Sequence, residues 1–91
     1  MSVRLFPLGQ LAMTPGASEA MGMAGILPHQ LLARHVSGDF GDLEPEDIER
    51  NSEAVTNGAR IFSAYDLSSE RVWVITEADR SVTTILLPSE Y

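Results

Sequence analysis

At Asn57-Gly58 the hydrophobic pattern of the chain changes its period from about 3.6 to 2. Downstream, Arg60–Tyr65 sets Ile61, Ser63 and Tyr65 against Phe62 and Ala64. Arg71–Thr76 sets Val72 and Val74 against Trp73 and Ile75, and Ser81–Leu87 is rich in β-branched residues. Asp66–Glu70 and Glu77–Arg80 separate these runs by distances short enough for hairpins. The C-terminal third therefore reads as a three-stranded antiparallel meander.

Upstream, helix punctuation dominates. Thr14-Pro15-Gly16 is a start signal, with Thr14 as N-cap and Pro15 at the first helical position. The segment Ala17–Ala24 is small and Met-rich, and Gly25 stops it. Pro28 opens a second helix to about Val36, in which Leu31, Leu32, His35 and Val36 share a face. Pro45 opens a third, with Glu46, Asp47 and Glu49 near its positive end, Ile48 and Val55 on one face, and Asn57-Gly58 as the stop. Ahead of these lie an extended segment with Val3, Leu5 and Phe6 and a short strand, Gly9–Met13, suited to a sheet edge. The expectation is a single α+β domain over 1–91, with about three helices on one face of the meander and a possible N-terminal edge strand.

Composition narrows the function. The 91 residues are 44% hydrophobic and 21% charged, which suits a folded domain and not a disordered tail. Without Cys there is no disulfide, thiolate metal site or cysteine nucleophile. No apolar run approaches the roughly 20 residues of a membrane span, and the N-terminus has no targeting pattern, so a bacterial cytoplasm is expected. Thirteen acids face six Arg and no Lys, a net charge of −7. Seven of the acids (Asp39, Asp42, Glu44, Glu46, Asp47, Glu49 and Glu53) crowd into one stretch with only Arg50 against them. This balance disfavours generic nucleic-acid binding and suits a protein partner with a basic surface, or simply a solvated helix face. A Gly-rich phosphate loop, a Gly-x-Ser-x-Gly elbow and a His-Glu-x-x-His motif are all missing.

Three groups of residues are candidates for chemistry. His35, with Arg34, Ser37, Asp39 and Asp42, has the makings of a general acid/base; its structural alternative is a helix-end His that caps carbonyls and pairs with Asp39. One His and two Asp match no metal signature, so no metal and no cofactor is expected. The hairpin Thr76–Ser81 with Thr83 and Thr84 either closes a turn or presents Arg80 to an anion, and Thr83 and Thr84 point to opposite faces. Of the aromatic residues, Phe62 is assigned to the core, while Tyr65 or Trp73 is left for an open, partner-binding face.

The run Arg34–Leu43, with Asn51, Gly58, Arg60–Tyr65, Val72–Pro88 and Thr14-Pro15-Gly16-Ala17, resembles a family of small bacterial proteins carried on plasmids and integrative elements and labelled plasmid-related. The resemblance covers nearly the whole chain and implies a mobile-element context without a particular activity. The order of elements also resembles the barnase/RelE-like ribonuclease architecture. That likeness implies His35 as acid/base, Arg80 as phosphate clamp and Thr83 or Thr84 as substrate contact. The leading expectation is a mobile-element accessory protein acting by protein–protein interaction through Asp42, Glu46, Glu49, Glu53 and Trp73. Its more specific form is interference with a host defence system. The alternatives are a metal-independent nuclease using His35, Arg80 and Thr83/Thr84, and a homodimeric structural domain.

Overall fold

The structure, a computed structural model, describes residues 4–68 and 70–91; Val3 and Ser69, which entered the expected first extended segment and first hairpin connection, lie outside them. The elements are β1 (Gln10–Met13), α1 (Pro15–Ala24), α2 (Pro28–Val36), α3 (Pro45–Asn57), β2 (Ile61–Asp66), β3 (Arg71–Thr76), β4 (Val82–Leu86) and a 3-10 turn at Pro88–Glu90. Each helix begins with Pro in its first turn, where the missing N–H is no loss. The Thr14 hydroxyl accepts from Ala17 N at 3.2 Å as the α1 N-cap. At Leu27 the Gln30 side chain takes over that role, accepting the Leu27 N–H at 2.7 Å.

The α+β class holds, but the sheet differs from the expected three-stranded antiparallel meander. It has four strands in the order β1-β4-β3-β2 and is mixed. β2, β3 and β4 form antiparallel neighbours, and β1 pairs with β4 in parallel, Gln10 opposite Val82 through Met13 opposite Ile85. The reason is connectivity: three helices separate β1 from the meander, so no tight turn forces it to run antiparallel.

Registry divides the sheet into two faces. Ile61, Ser63, Tyr65, Val72, Val74, Thr76, Thr83 and Ile85 share one face and are all buried. The core on that face draws on all three helices, through Ala17, Met21, Leu31, Leu32, Val36 and Ala54, and on Phe6, Leu8 and Phe40 from loops. The other face carries Phe62, Trp73 and Thr84, each only half-buried. Phe62 thus lies outside the helix-covered core to which it was assigned, and Tyr65 takes the inner position. Tyr65 can be buried because its hydroxyl finds the Asp39 carbonyl at 2.6 Å.

Candidate functional site

The most unusual feature of the interior is a line of polar side chains through it. Its centre is His35, which has no exposed surface. α2 drives the ring inward because Leu31, Leu32 and Val36 on the same helix side bury against the sheet. There Nδ1 meets Ser63 Oγ of β2 at 2.5 Å, and Nε2 meets Thr76 Oγ1 of β3 at 2.9 Å. Thr76 Oγ1 lies 2.7 Å from Thr83 Oγ1 of β4, which donates to the Leu8 carbonyl at 2.7 Å. Phe6 and Phe40 close the ring edge-on, with centroids 5.2 and 6.3 Å away.

The carbonyl at one end fixes every proton in this line. Leu8 O only accepts, so Thr83 spends its hydroxyl proton there. Thr76 must then donate to Thr83, and it receives the proton on His35 Nε2. Nδ1 is left as the acceptor of the Ser63 hydroxyl. His35 is thereby neutral and of one tautomer, with both nitrogens used. Burial lowers its pKa from 6.5 to about 4, because an imidazolium here would lose its hydration and force a hydroxyl to turn away.

The expected pairing of His35 with Asp39 does not occur. Arg34, exposed on the next position, takes that carboxylate through Nε at 2.7 Å and Nη2 at 3.3 Å. The pair raises the Arg34 pKa and lowers that of Asp39. The Arg34 guanidinium lies 4.5 Å over the Tyr65 ring, whose hydroxyl burial pushes up to about 12. Ser37 donates its hydroxyl to Arg34 O at 3.0 Å, and Asp42 uses its backbone N–H on Ala64 O.

Arg80 sits at the β3–β4 turn with φ 60, an uncommon conformation for a side chain of this size. Its Nη1 donates to Ala59 O at 2.7 Å and Glu77 O at 3.2 Å, and Nη2 donates to Ala54 O at 2.8 Å. It thus adds a second donor to the late α3 carbonyl of Ala54, which also accepts from Gly58 N, and ties three chain segments together. Of the four residues drawn from the ribonuclease resemblance, His35 and Thr83 are joined through Thr76, and Arg80 shares the Phe6 ring with His35. Thr84 points to the opposite face of the sheet. The four do not line a common cleft, since His35 and Thr83 are fully buried. Arg80→Ala should cost about 2 kcal/mol through three lost charge-assisted hydrogen bonds, with no rescue by Lys, which lacks the fork. Urea denaturation checks this, and a midpoint unchanged from wild type would count against the tie.

Two exposed features remain. On α3, Glu46, Glu49 and Glu53 are exposed, while Asn51 and Ala54 are buried. Asn51 anchors the helix to the β2 edge: its Nδ2 donates to Phe62 O at 2.6 Å and its Oδ1 accepts from Phe62 N at 3.1 Å. On the open sheet face, Trp73 meets Phe62 edge-on at 5.1 Å and Tyr91 at 5.6 Å, and Arg60 lies 5.7 Å over the Tyr91 ring. Arg60, Phe62, Trp73, Ile75 and Tyr91 surround a hollow of about 280 Å³. Of Tyr65 and Trp73, the two aromatic residues the sequence offered for this face, Trp73 lies here; Arg60 and Tyr91, which carry no periodic signal, were not foreseen. Nor were Ser63 and Thr76 as partners of His35, although both are hydroxyls standing in an otherwise apolar inward row.

These features define a small α+β domain with an internally satisfied polar core and two separate exposed surfaces, one acidic and one aromatic. Among the described residues no three His, Asp or Glu side chains come together as a metal site, and no helix is long and apolar enough to cross a membrane. Comparison with family models, with curated proteins and with solved structures returned no match.

Proposed function

We propose that the protein is a binding module that docks the basic surface of a protein partner through the outward side of α3. The observation that carries this reading is the placement of Glu46, Glu49 and Glu53. At about 100° per residue they fall within roughly 60° of one another and on the side away from the buried Asn51. The one cation of α3, Arg50, is paired with Asp47 at 3.3 Å and lies to the side. Such a stripe attracts a basic partner from a distance and selects against acidic ones. The aromatic hollow at Trp73 adds residue types that anchor protein interfaces. With the resemblance to plasmid-borne proteins, the reading extends to a cytoplasmic mobile-element accessory protein, with a host defence component as the partner.

The test is capture from host lysate with wild type and with the triple variant Glu46→Lys, Glu49→Lys, Glu53→Lys. All three side chains are exposed, and the change at Glu46 forfeits only about 0.5 kcal/mol of helix-dipole interaction, so the variant stays folded. The expected result is a partner held by wild type at low salt, released at high salt and not captured by the variant. Equal capture by both proteins would overturn the proposal.

A further inference from the structure

The two edges of the sheet are treated in opposite ways. At β2 the outer edge is sealed: Asn51 takes both backbone groups of Phe62, and Phe40 and Asp42 take those of Ala64. At β1 the outer edge is bare. Gln10 N and Thr14 N donate to Ser81 O and Ile85 O, so Gln10, Ala12 and Thr14 turn their backbone groups toward β4. Leu11 and Met13 turn theirs outward, and among the described residues nothing accepts or donates there. All four residues of β1 are exposed, with Leu11 at 59% and Met13 at 39%. The strand is short, at four residues, but it carries no charge, no Pro and no bulge to keep its edge single.

We infer that β1 pairs antiparallel with β1 of a second copy of this chain, about a two-fold axis at Ala12, joining two four-stranded sheets into one of eight strands. Three observations select a second copy as the occupant. The first is self-complementarity. With the axis at Ala12, Leu11 faces the partner's Met13 and Met13 faces the partner's Leu11, so the outward N–H and C=O of both residues are satisfied by four hydrogen bonds.

The second is shape. Leu11 and Met13 lie in register with Thr83 and Ile85, which puts their side chains on the helix-covered side of the sheet. There they border an apolar hollow of about 200 Å³ against Pro28 and Leu32 of α2. The two-fold brings the same four side chains of each copy to one side of the joined sheet, where the tips of Leu11 and Met13 enter the hollow of the partner.

The third is charge. Each chain carries −7, so two copies repel wherever their acids meet. The acid-rich stretch Asp39–Glu53 lies beyond β2, at the far edge of the sheet. β1 is uncharged, the ionisable residues in the neighbouring hollow are Arg4 and His29, and the carboxylate of Glu90 at the strand's end is already held by the Thr14 hydroxyl and Leu87 N. Pairing at β1 therefore holds the two acidic helices at the outer ends of the dimer and leaves them free.

Sedimentation equilibrium of the full chain tests the inference, with a mass of twice 9.9 kDa expected. Leu11→Pro removes an outward N–H and a contacting side chain but no bond to β4, so the monomer keeps its fold while dimerisation weakens by at least about tenfold. Ala12→Cys supplies a second readout. Residues facing each other across the axis in a non-hydrogen-bonded pair have Cα atoms about 4.5 Å apart, within disulfide range, and the chain has no other Cys. Mild oxidation should therefore cross-link it as a symmetric dimer. A wild-type monomer at every soluble concentration would overturn the inference, even one that binds an extended peptide at this edge. So would a dimer that survives Leu11→Pro or is dissociated instead by Trp73→Ala. A dimer in which Ala12→Cys stays reduced would overturn the register.

Discussion

Replacing His35 with alanine should remove about 3–5 kcal/mol of stability, from the cavity left by the ring and from the stranding of Ser63 and Thr76, two fully buried hydroxyls. Domains of this size have about 5–15 kcal/mol in total, so the variant sits near the edge of folding at neutral pH. The contrasting variant is the triple replacement His35→Leu, Ser63→Ala, Thr76→Val, which removes the polar groups together. It should recover most of the loss, because an apolar core of similar shape leaves few buried groups without partners. Urea denaturation of both at neutral pH decides the matter. A single variant as stable as wild type would show that the hydrogen bonds of His35 to Ser63 and Thr76 do not hold the core together.

The same line makes wild-type stability depend on pH. Folding lowers the His35 pKa from 6.5 to about 4, so at intermediate pH the unfolded chain binds a proton that the folded chain does not. Stability therefore rises with pH in that window. The contribution is complete above 6.5 and is lost as pH falls toward about 4, a total loss of roughly 3 kcal/mol. The triple apolar variant should be flat across this interval. Asp39, held below its ordinary range by Arg34, adds a loss only at more acid pH.

The helices were legible because their ends are written in residues with few other uses. Pro15, Pro28 and Pro45 stand in first turns, and Gly25 and Gly58 adopt the left-handed conformation that closes α1 and α3. The limits of β3 coincide with the alternating run Arg71–Thr76. The direction of β1 was not legible, since a four-residue strand with no adjoining hairpin has no local determinant of its partner. On β2, alternation separated Phe62 from Tyr65 but did not say which row the helices cover. Tyr65 won that place through a hydrogen bond to a residue 26 positions away. Distance in sequence hid the site in the same way, since the partners of His35 lie 28 and 41 residues on and Arg80 reaches back 26 residues to Ala54. A titratable residue on the apolar side of a helix marked the place, and only the fold could say whether hydroxyls or solvent would meet it.

Gly41→Ala should be as damaging as the loss of His35, for a different reason. Gly41 has φ 76, and a Cβ there would run into the Ala64 carbonyl and reach 2.7 Å from a ring carbon of Tyr65. Neither neighbour can yield. The Ala64 carbonyl accepts from Asp42 N at 2.7 Å, and the Tyr65 hydroxyl is held by Asp39 O. The loop has to lift, giving up both bonds and the one from Ala64 N to Phe40 O. A cost of about 3 kcal/mol follows, or roughly 10–20 °C in Tm. Gly58→Ala is the internal control, with φ 80 but open space around the new Cβ, and it should cost only about 1–2 kcal/mol in backbone strain. Thermal melts of the two separate strain from collision, and equal Tm losses would remove the collision. Lifting the loop also uncovers the backbone of Ala64, leaving the β2 edge covered by Asn51 at Phe62 alone, so that bare backbone is offered on both sides of the sheet. Two bare edges permit open-ended addition of copies where one permits only a closed pair. Light scattering of Gly41→Ala below its melt should accordingly grow with time and concentration, and addition of Leu11→Pro should stop that growth at pairs.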